Sequence, residues 1–345
     1  MSNLIIVAII VFLLALNNNK VKNHAVIILL SLLFGSRPMD VPDTVNYYDI
    51  FLYSMDDSMF HYEYGYRLLN YLCHDILGME FHLYLFLLSF LMLEIWYYCT
   101  RKMVPNAHIG LMMLLYISFY GFYFDGVVTR NALAIMISYL GIYILYFNRK
   151  YIKYVFYFLL VILAFTQHAA AILFLVVPLL FRKFGNKFIY GWLIVNFLLI
   201  IFSSAGFVES VLGRFIVYDE FSRFSHYGDG SYENEQGLSI LFLLNFVLSV
   251  VCAVFRNRVN NDRKEVYNLF MNIFLFGVTL DCATWTLSTA SRLGAQFISF
   301  SFIPLYLLFC ESSLFKKNVG KVAVYLLSFA EFYALIHYFP LFLNF

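Results

Sequence analysis

The chain has 345 residues, a length that allows two water-soluble domains. Its composition excludes them: 62% of the residues are hydrophobic and 13% charged, and 23 basic plus 21 acidic side chains cannot cover a soluble surface of that size. The formal net charge of +2 comes with no basic tail or stripe for a nucleic acid, so most of the chain is expected to lie in lipid.

A bilayer-crossing helix takes about 20 mainly apolar residues. Such runs lie near 2–17, 23–36, 81–100, 106–123, 129–147, 151–166, 168–182, 188–204, 237–256, 266–282, 293–312 and 322–340. The predicted fold is therefore all-α, a polytopic membrane protein of about twelve transmembrane helices forming a single integral membrane domain over 1–345. No positive charge precedes the first run, so a cleaved signal of the usual kind is not expected there; Lys20 and Lys22 follow it instead.

The basic residues orient the spans. With odd-numbered connections on the cytoplasmic side, 17 of the 23 Lys and Arg fall there, which places both termini outside. The six left on the outer side are Arg37, Arg67, Arg130, Arg214, Arg223 and Arg292, whereas every Lys is cytoplasmic. Some of these Arg can simply pair with outer acids. A planar guanidinium, however, grips a phosphate or carboxylate in two contacts, so at least two of the six are expected to touch an anionic substrate.

Two outer connections are long, 37–80 and 205–236, and have room for a substrate site. The first reads as two amphipathic helices at the interface. One starts at Pro42-Asp43-Thr44, with Asp43 placed to cap it. The other runs from about Met59 to Leu77, with Glu63, Arg67, Asn70 and His74 on a polar stripe and Tyr62, Tyr66, Leu69 and Leu72 on an apolar one. Glu63 and Arg67 are spaced for an intrahelical ion pair. Asp56, Asp57 and His61 lack any recognised metal-ligand spacing, and no metal is expected.

Residues 151–182 must cross outward and return, because Lys153 and Lys183 share the basic side. Two full crossings need about 40 residues and roughly 30 are present. The turn Thr166-Gln167-His168 is thus expected below the outer surface, inside protein, with His168 either functional or a hydrogen-bonded structural residue. Further along, Arg130 opens the fifth span and Arg292 the eleventh, each adding its charge to the positive end of a helix. Glu94 and Glu331 lie in the hydrocarbon, with Glu311 near a cytoplasmic end. A proton-coupled transporter would place ionisable groups along the midplane; crowding of polar groups on one face favours an enzyme or receptor at the outer surface.

The same segments resemble the EpsG-type branch of the Wzy polysaccharide polymerases. The similarity is carried, in order, by Asp43-Thr-Val-Asn-Tyr47, by Tyr62-Glu63-Tyr-Gly65-Tyr66 followed by Leu68-Leu69, by Thr129-Arg130-Asn131-Ala-Leu-Ala134, by Gln167-His168-Ala-Ala-Ala171 and by Arg292 before a late span. Tyr64 stands where that family often has Pro. The resemblance implies a GT-C-like glycosyltransferase fold and polymerisation of lipid-linked oligosaccharide repeat units at the outer leaflet of a bacterial inner membrane. The donor would be a growing chain on undecaprenyl diphosphate and the acceptor a lipid-linked repeat unit, with membrane lipid and a chain-length regulator protein as partners and no cofactor. For that chemistry Arg130 and Arg292 are expected to hold the diphosphate, helped by Arg214 or Arg223. His168 or Glu63 would take the acceptor proton, Asp43 would position sugar hydroxyls, and Arg67 and Tyr47 would add substrate contacts, although interfacial anchoring is the simpler role for Tyr47. A polysaccharide ligase on the same donor, a lipid-oligosaccharide flippase and a membrane O-acyltransferase are the competing readings.

Overall fold

A computed structural model describes residues 19–147, 151–204, 240–285 and 292–338. The predicted span 2–17 and the whole loop 205–236, including Arg214 and Arg223, lie outside the described residues. Among those described the fold is helical, and seven helices are long and apolar enough to cross a membrane: Phe81–Met103, Thr129–Phe147, Asn186–Ser204, Ile240–Arg258, Asn261–Thr284, Leu293–Cys310 and Asn318–Ile336. The chain is a polytopic membrane protein. The remaining predicted ranges that are described, 23–36, 106–123, 151–166 and 168–182, also carry helix, but in shorter or interrupted form. Lys20–Gly35 is a 16-residue helix (α1), and Ile152–Gln167 has the same length. The range 106–123 is realised as Ile109–Tyr116, a π-helical turn Ile117–Gly121, and Phe122–Gly126.

The chain divides into two compact units, Met1–Pro178 with Val322–Phe345, and Leu179–Lys321. In the first, α1 runs along Phe81–Met103, and a Cβ on Gly35 would stand 2.7 Å from that of Phe86. The loop between them contributes helix α2 (Thr44–Leu52) and helix α3 (Tyr64–Tyr71), with one π-helical turn, Leu72–Ile76, after α3. Helices Phe81–Met103 (α4), Ile109–Tyr116 (α5), Phe122–Gly126 (α6), Thr129–Phe147 (α7) and Ile152–Gln167 (α8) follow. On α8 Tyr157, Val161 and Ala164 are buried, while Val155, Phe156, Leu159, Ile162 and Leu163 are exposed. A helix apolar on all sides with one stripe buried is what a lipid-facing span requires.

The second unit is organised around Lys264–Thr284. Asn272 on this helix donates to the backbone oxygens of Leu180 (2.8 Å) and Arg182 (3.2 Å). Thr279 accepts from Trp192 Nε1 at 2.7 Å and donates to Asn196 Oδ1 at 2.8 Å. The short helix Arg292–Ile298 lies against it through glycines: a Cβ on Gly294 would come within 2.6 Å of the Gly277 carbonyl oxygen and 2.0 Å of Asp281 Oδ1. Small residues at such a crossing let two backbones touch in lipid, where packing rather than water expulsion drives association.

The 37–80 loop departs from its sequence reading in two places. Asp43 directly precedes α2 but has a left-handed backbone, φ 64°, and makes no side-chain capping bond. The second helix is shorter than 59–77: Asp57–Met59 is a single 3₁₀ turn, the chain bends through residues 60–63, and α3 begins only at Tyr64. Glu63 therefore lies before the helix, in extended backbone, and not on one stripe with Arg67. Tyr64 occupies the first helical position, the place where a proline costs a helix least. The polar stripe that remains faces inward, with Arg67 and Asn70 buried, and Tyr64, Leu72, Ile76 and Leu77 are exposed.

Candidate active site

Glu63 is the point where three separated motifs meet. Its Oε2 accepts from Arg130 Nη1 at 2.7 Å, and its Oε1 accepts from the backbone N–H of Ala169 at 2.9 Å. The carboxylate thus joins the loop ahead of α3, the first turn of α7 and the turn after α8. Each partner has a local reason to be there. Arg130 follows Thr129 at the opening of α7, which directs its side chain back over the helix start. Ala169 is the first residue of a 3₁₀ helix, Ala169–Val176, so its N–H has no partner within that helix. The side chains of Arg130 and Glu63 are 19% and 20% exposed, enough for a ligand to reach the pair and little enough for the charges to interact strongly. Tyr62 closes one side, its ring centroid 5.0 Å from the Arg130 guanidinium carbon.

Gly65 makes this meeting possible. A Cβ there would stand 2.3 Å from Thr166 Oγ1 and 2.6 Å from both Thr166 Cβ and Gln167 Nε2. The first turn of α3 presses on the end of α8, and Gln167 is buried beneath it. Within the Thr166–His168 turn Gln167 is buried, while Thr166 and His168 remain partly exposed.

His168 adopts an extended backbone (φ −155°, ψ 123°) and caps the 3₁₀ helix, its Nδ1 accepting from the backbone N–H of Ala170 at 3.2 Å. An imidazole that accepts at Nδ1 carries its proton on Nε2. In this tautomer the ring's Nε2 is a hydrogen-bond donor. Glu63, with a second lone pair on each oxygen, is the better proton acceptor of the two.

Arg37 completes the cluster. It follows α1 and is 1% exposed. Its Nη1 donates to the Gly126 carbonyl (2.7 Å), to Thr129 Oγ1 (2.8 Å) and, at 3.4 Å, to the Val127 carbonyl. The two carbonyls are turned toward it by the bend between α6 and α7, behind Asp125, which is buried and accepts from the Tyr116 hydroxyl at 3.1 Å. Tyr47 lies on the other side, its ring centroid 5.5 Å from the Arg37 guanidinium and 6.0 Å from the Tyr66 ring. Burial pushes the Tyr47 and Tyr66 phenols above their usual value, so both stay neutral, and burial pulls Arg37 down from its ordinary value. Asp43 is exposed at the edge, its negative charge acting on Arg37 and Tyr47.

Of the predicted residues, Glu63, Arg130 and His168 are brought together, with Asp43 and Tyr47 beside them. Tyr47 is buried, so it supports the site from below. Arg67 goes elsewhere, stacked on Phe60 (4.6 Å) and near the Ser54 carbonyl at 3.5 Å. Arg292 opens its helix in the second unit. No cluster of three or more His, Cys, Asp or Glu arranged for a metal occurs among the described residues. Arg37 and Gly65 are additions: Arg37 stood among the six outer Arg without a role, and nothing local marks Gly65 as a contact point.

A carboxylate held by an Arg and a backbone N–H, beside a second guanidinium and three tyrosines, suits binding of a sugar phosphate and removal of a hydroxyl proton. No match was found among curated proteins or among solved structures. A family model does match: the EpsG family model spans residues 22–344, from α1 through the last described helix, and the chain belongs to the EpsG family.

Proposed function

We propose that the protein polymerises oligosaccharide repeat units carried on undecaprenyl diphosphate at the periplasmic face of a bacterial inner membrane. Family membership implies a polysaccharide polymerase. The Glu63–Arg130 pair anchored to Ala169 is the observation that carries the finer reading, because it unites three of the family-like motifs around groups fit for this reaction. The acceptor hydroxyl attacks the anomeric carbon of the donor sugar, and the bond from that carbon to the diphosphate oxygen breaks with its electron pair going to the leaving group. The hydroxyl proton passes to Glu63. Arg130 contributes its remaining N–H groups to the diphosphate, His168 holds the turn that presents Ala169 to Glu63, and Asp43 meets sugar hydroxyls. Arg292, Arg214, Arg223 and Arg67 are proposed as further substrate ligands on their sequence positions alone. In this reading the chain forms one membrane domain of about twelve spans with a GT-C-like arrangement, both termini outside. It works with a chain-length regulator and without a nucleotide sugar.

Surface polysaccharide of a strain lacking the protein tests this reading. Single repeat units on the lipid core are expected. Loss of all surface sugar would point to a flippase, and full-length chains left on the carrier would point to a ligase.

A further inference from the structure

Two guanidiniums stand at the start of α7, and their electrostatic surroundings differ. Arg130 has its charge balanced by a carboxylate at 2.7 Å. Arg37 does not. Its three acceptors, Gly126 O, Val127 O and Thr129 Oγ1, are all neutral and all served by one nitrogen, Nη1. Its Nε and Nη2 are buried and have no hydrogen-bond partner among the described residues. A buried ion with no carboxylate bonded to it, and with donors unsatisfied, is strongly unfavourable unless something offsets it. The two unpartnered nitrogens are not a random pair. Nε–H and one Nη2–H lie parallel along one edge of the guanidinium, the edge that binds a phosphate or carboxylate in two contacts.

We infer that Arg37 is a phosphate-binding residue of the donor site, gripping two oxygens of the donor's diphosphate along its Nε–Nη2 edge, and that Asp43 is the acid this phosphate displaces from its vicinity. The inference rests on the reading of the donor as a lipid diphosphate and adds to it the cation whose charge is not already taken. Asp43 fits its part: it is exposed and makes no capping bond. It also holds a left-handed backbone that costs a non-glycine residue free energy. Binding moves the turn 38–43, in which Met39, Asp40, Pro42 and Asp43 are exposed, and uncovers the Arg37 edge. Thr129 and the two carbonyls keep the other side of the fork fixed while this happens.

The test is equilibrium binding of a short-chain polyprenyl diphosphate to the full-length protein in nanodiscs, with inorganic diphosphate as competitor. The wild type should bind. Arg37→Gln should lose at least about tenfold in affinity and Arg37→Lys nearly as much, because an ammonium lacks the two-pronged edge. Asp43→Asn should bind a few-fold tighter, since the competing negative charge is gone. Opposite signs at the two positions are not what general damage to the fold produces, and Asp43→Asn keeps the inference testable if Arg37→Gln fails to fold. Competition by inorganic diphosphate at similar concentration assigns the affinity to the phosphates; competition only by the prenyl compound assigns it to the lipid tail and overturns the role of Arg37. Wild-type affinity in Arg37→Gln or Arg37→Lys, or weaker binding in Asp43→Asn, overturns the inference. A wild type that binds no diphosphate at all overturns the donor reading on which it rests.

Discussion

Replacing Gly65 by Ala adds one methyl group where the first turn of α3 meets the end of α8. The added Cβ would stand 2.3 Å from Thr166 Oγ1 and 2.6 Å from Thr166 Cβ, against ordinary van der Waals contact from 3.4 Å outward. The helix must therefore retreat by about 1 Å, and Glu63, two residues earlier, moves with it. Overpacking of this size costs about 1–3 kcal/mol. Alanine returns about 1 kcal/mol of helix propensity, so net stability falls only modestly. Catalysis is more sensitive: a misplacement of about 1 Å at a reacting centre lowers rate by about 100-fold. The assay is the length distribution of surface polysaccharide in a strain whose sole copy is Gly65→Ala, with membrane level followed by immunoblot and melting followed in detergent. Short chains, near-normal protein level and a small drop in Tm are expected. The double variant Gly65→Ala with Thr166→Gly removes the Cβ and hydroxyl that the methyl meets, and should restore part of the length. Wild-type polymer from Gly65→Ala alone would refute the claim that this close approach sets the position of Glu63.

Three further outcomes follow from the same geometry. Glu63→Gln keeps the side chain's size and an oxygen for the Ala169 N–H but removes the charge facing Arg130. Chain lengthening should stop, and the partly exposed pair's loss should cost about 1–3 kcal/mol in a chemical or thermal melt; unchanged polymer length would exclude Glu63 as proton acceptor. His168→Asn can still accept from the Ala170 N–H, so it should retain most activity, whereas His168→Ala loses the cap, about 1 kcal/mol, and shortens the polymer. Abolished activity in His168→Asn with intact protein would instead make the imidazole chemically essential. Gly294→Ala sets a methyl group within 2.6 Å of a backbone oxygen on the facing helix and should lower Tm by several degrees, with no loss expected from Gly191→Ala, where a Cβ meets nothing within 4 Å.

Hydropathy is a local property, and so the helices were legible: ten of the twelve ranges read from apolar runs carry described helix along most of their length, and a further one, 106–123, carries helix broken by a π turn. The shortness of the apolar segments over 151–182 was legible from residue counting alone, and the structure has there two short apolar helices, Ile152–Gln167 and Ala169–Leu180. The site was legible as a set of residues and not as a set of contacts. Spacing four apart assigned Arg67 to Glu63, but the actual partner is Arg130, 67 positions away in the chain, and the helix that would have aligned Glu63 with Arg67 does not include Glu63. Asp43 reads as a cap because Asp before a helix usually is one; only the backbone angle reveals that it is not. Arg37 sits beside Pro38 at the mouth of a long loop, and its neighbours in sequence do not distinguish it from the other five outer Arg. Its burial comes from Tyr47 and the α6–α7 bend, contacts 10 and about 90 residues distant that no local pattern encodes.

The central claim is that the protein transfers a growing glycan from a lipid diphosphate to a lipid-linked acceptor, with Glu63 and Arg130 at the reacting centre. Purified protein in nanodiscs, supplied only with undecaprenyl-diphosphate-linked repeat units, measures this directly. The account predicts a ladder of lengthened products with one undecaprenyl diphosphate released per linkage formed, and no ladder from Glu63→Gln. Repeat units recovered unchanged from the wild type under conditions where it remains folded, or a ladder of equal rate from Glu63→Gln, would contradict it.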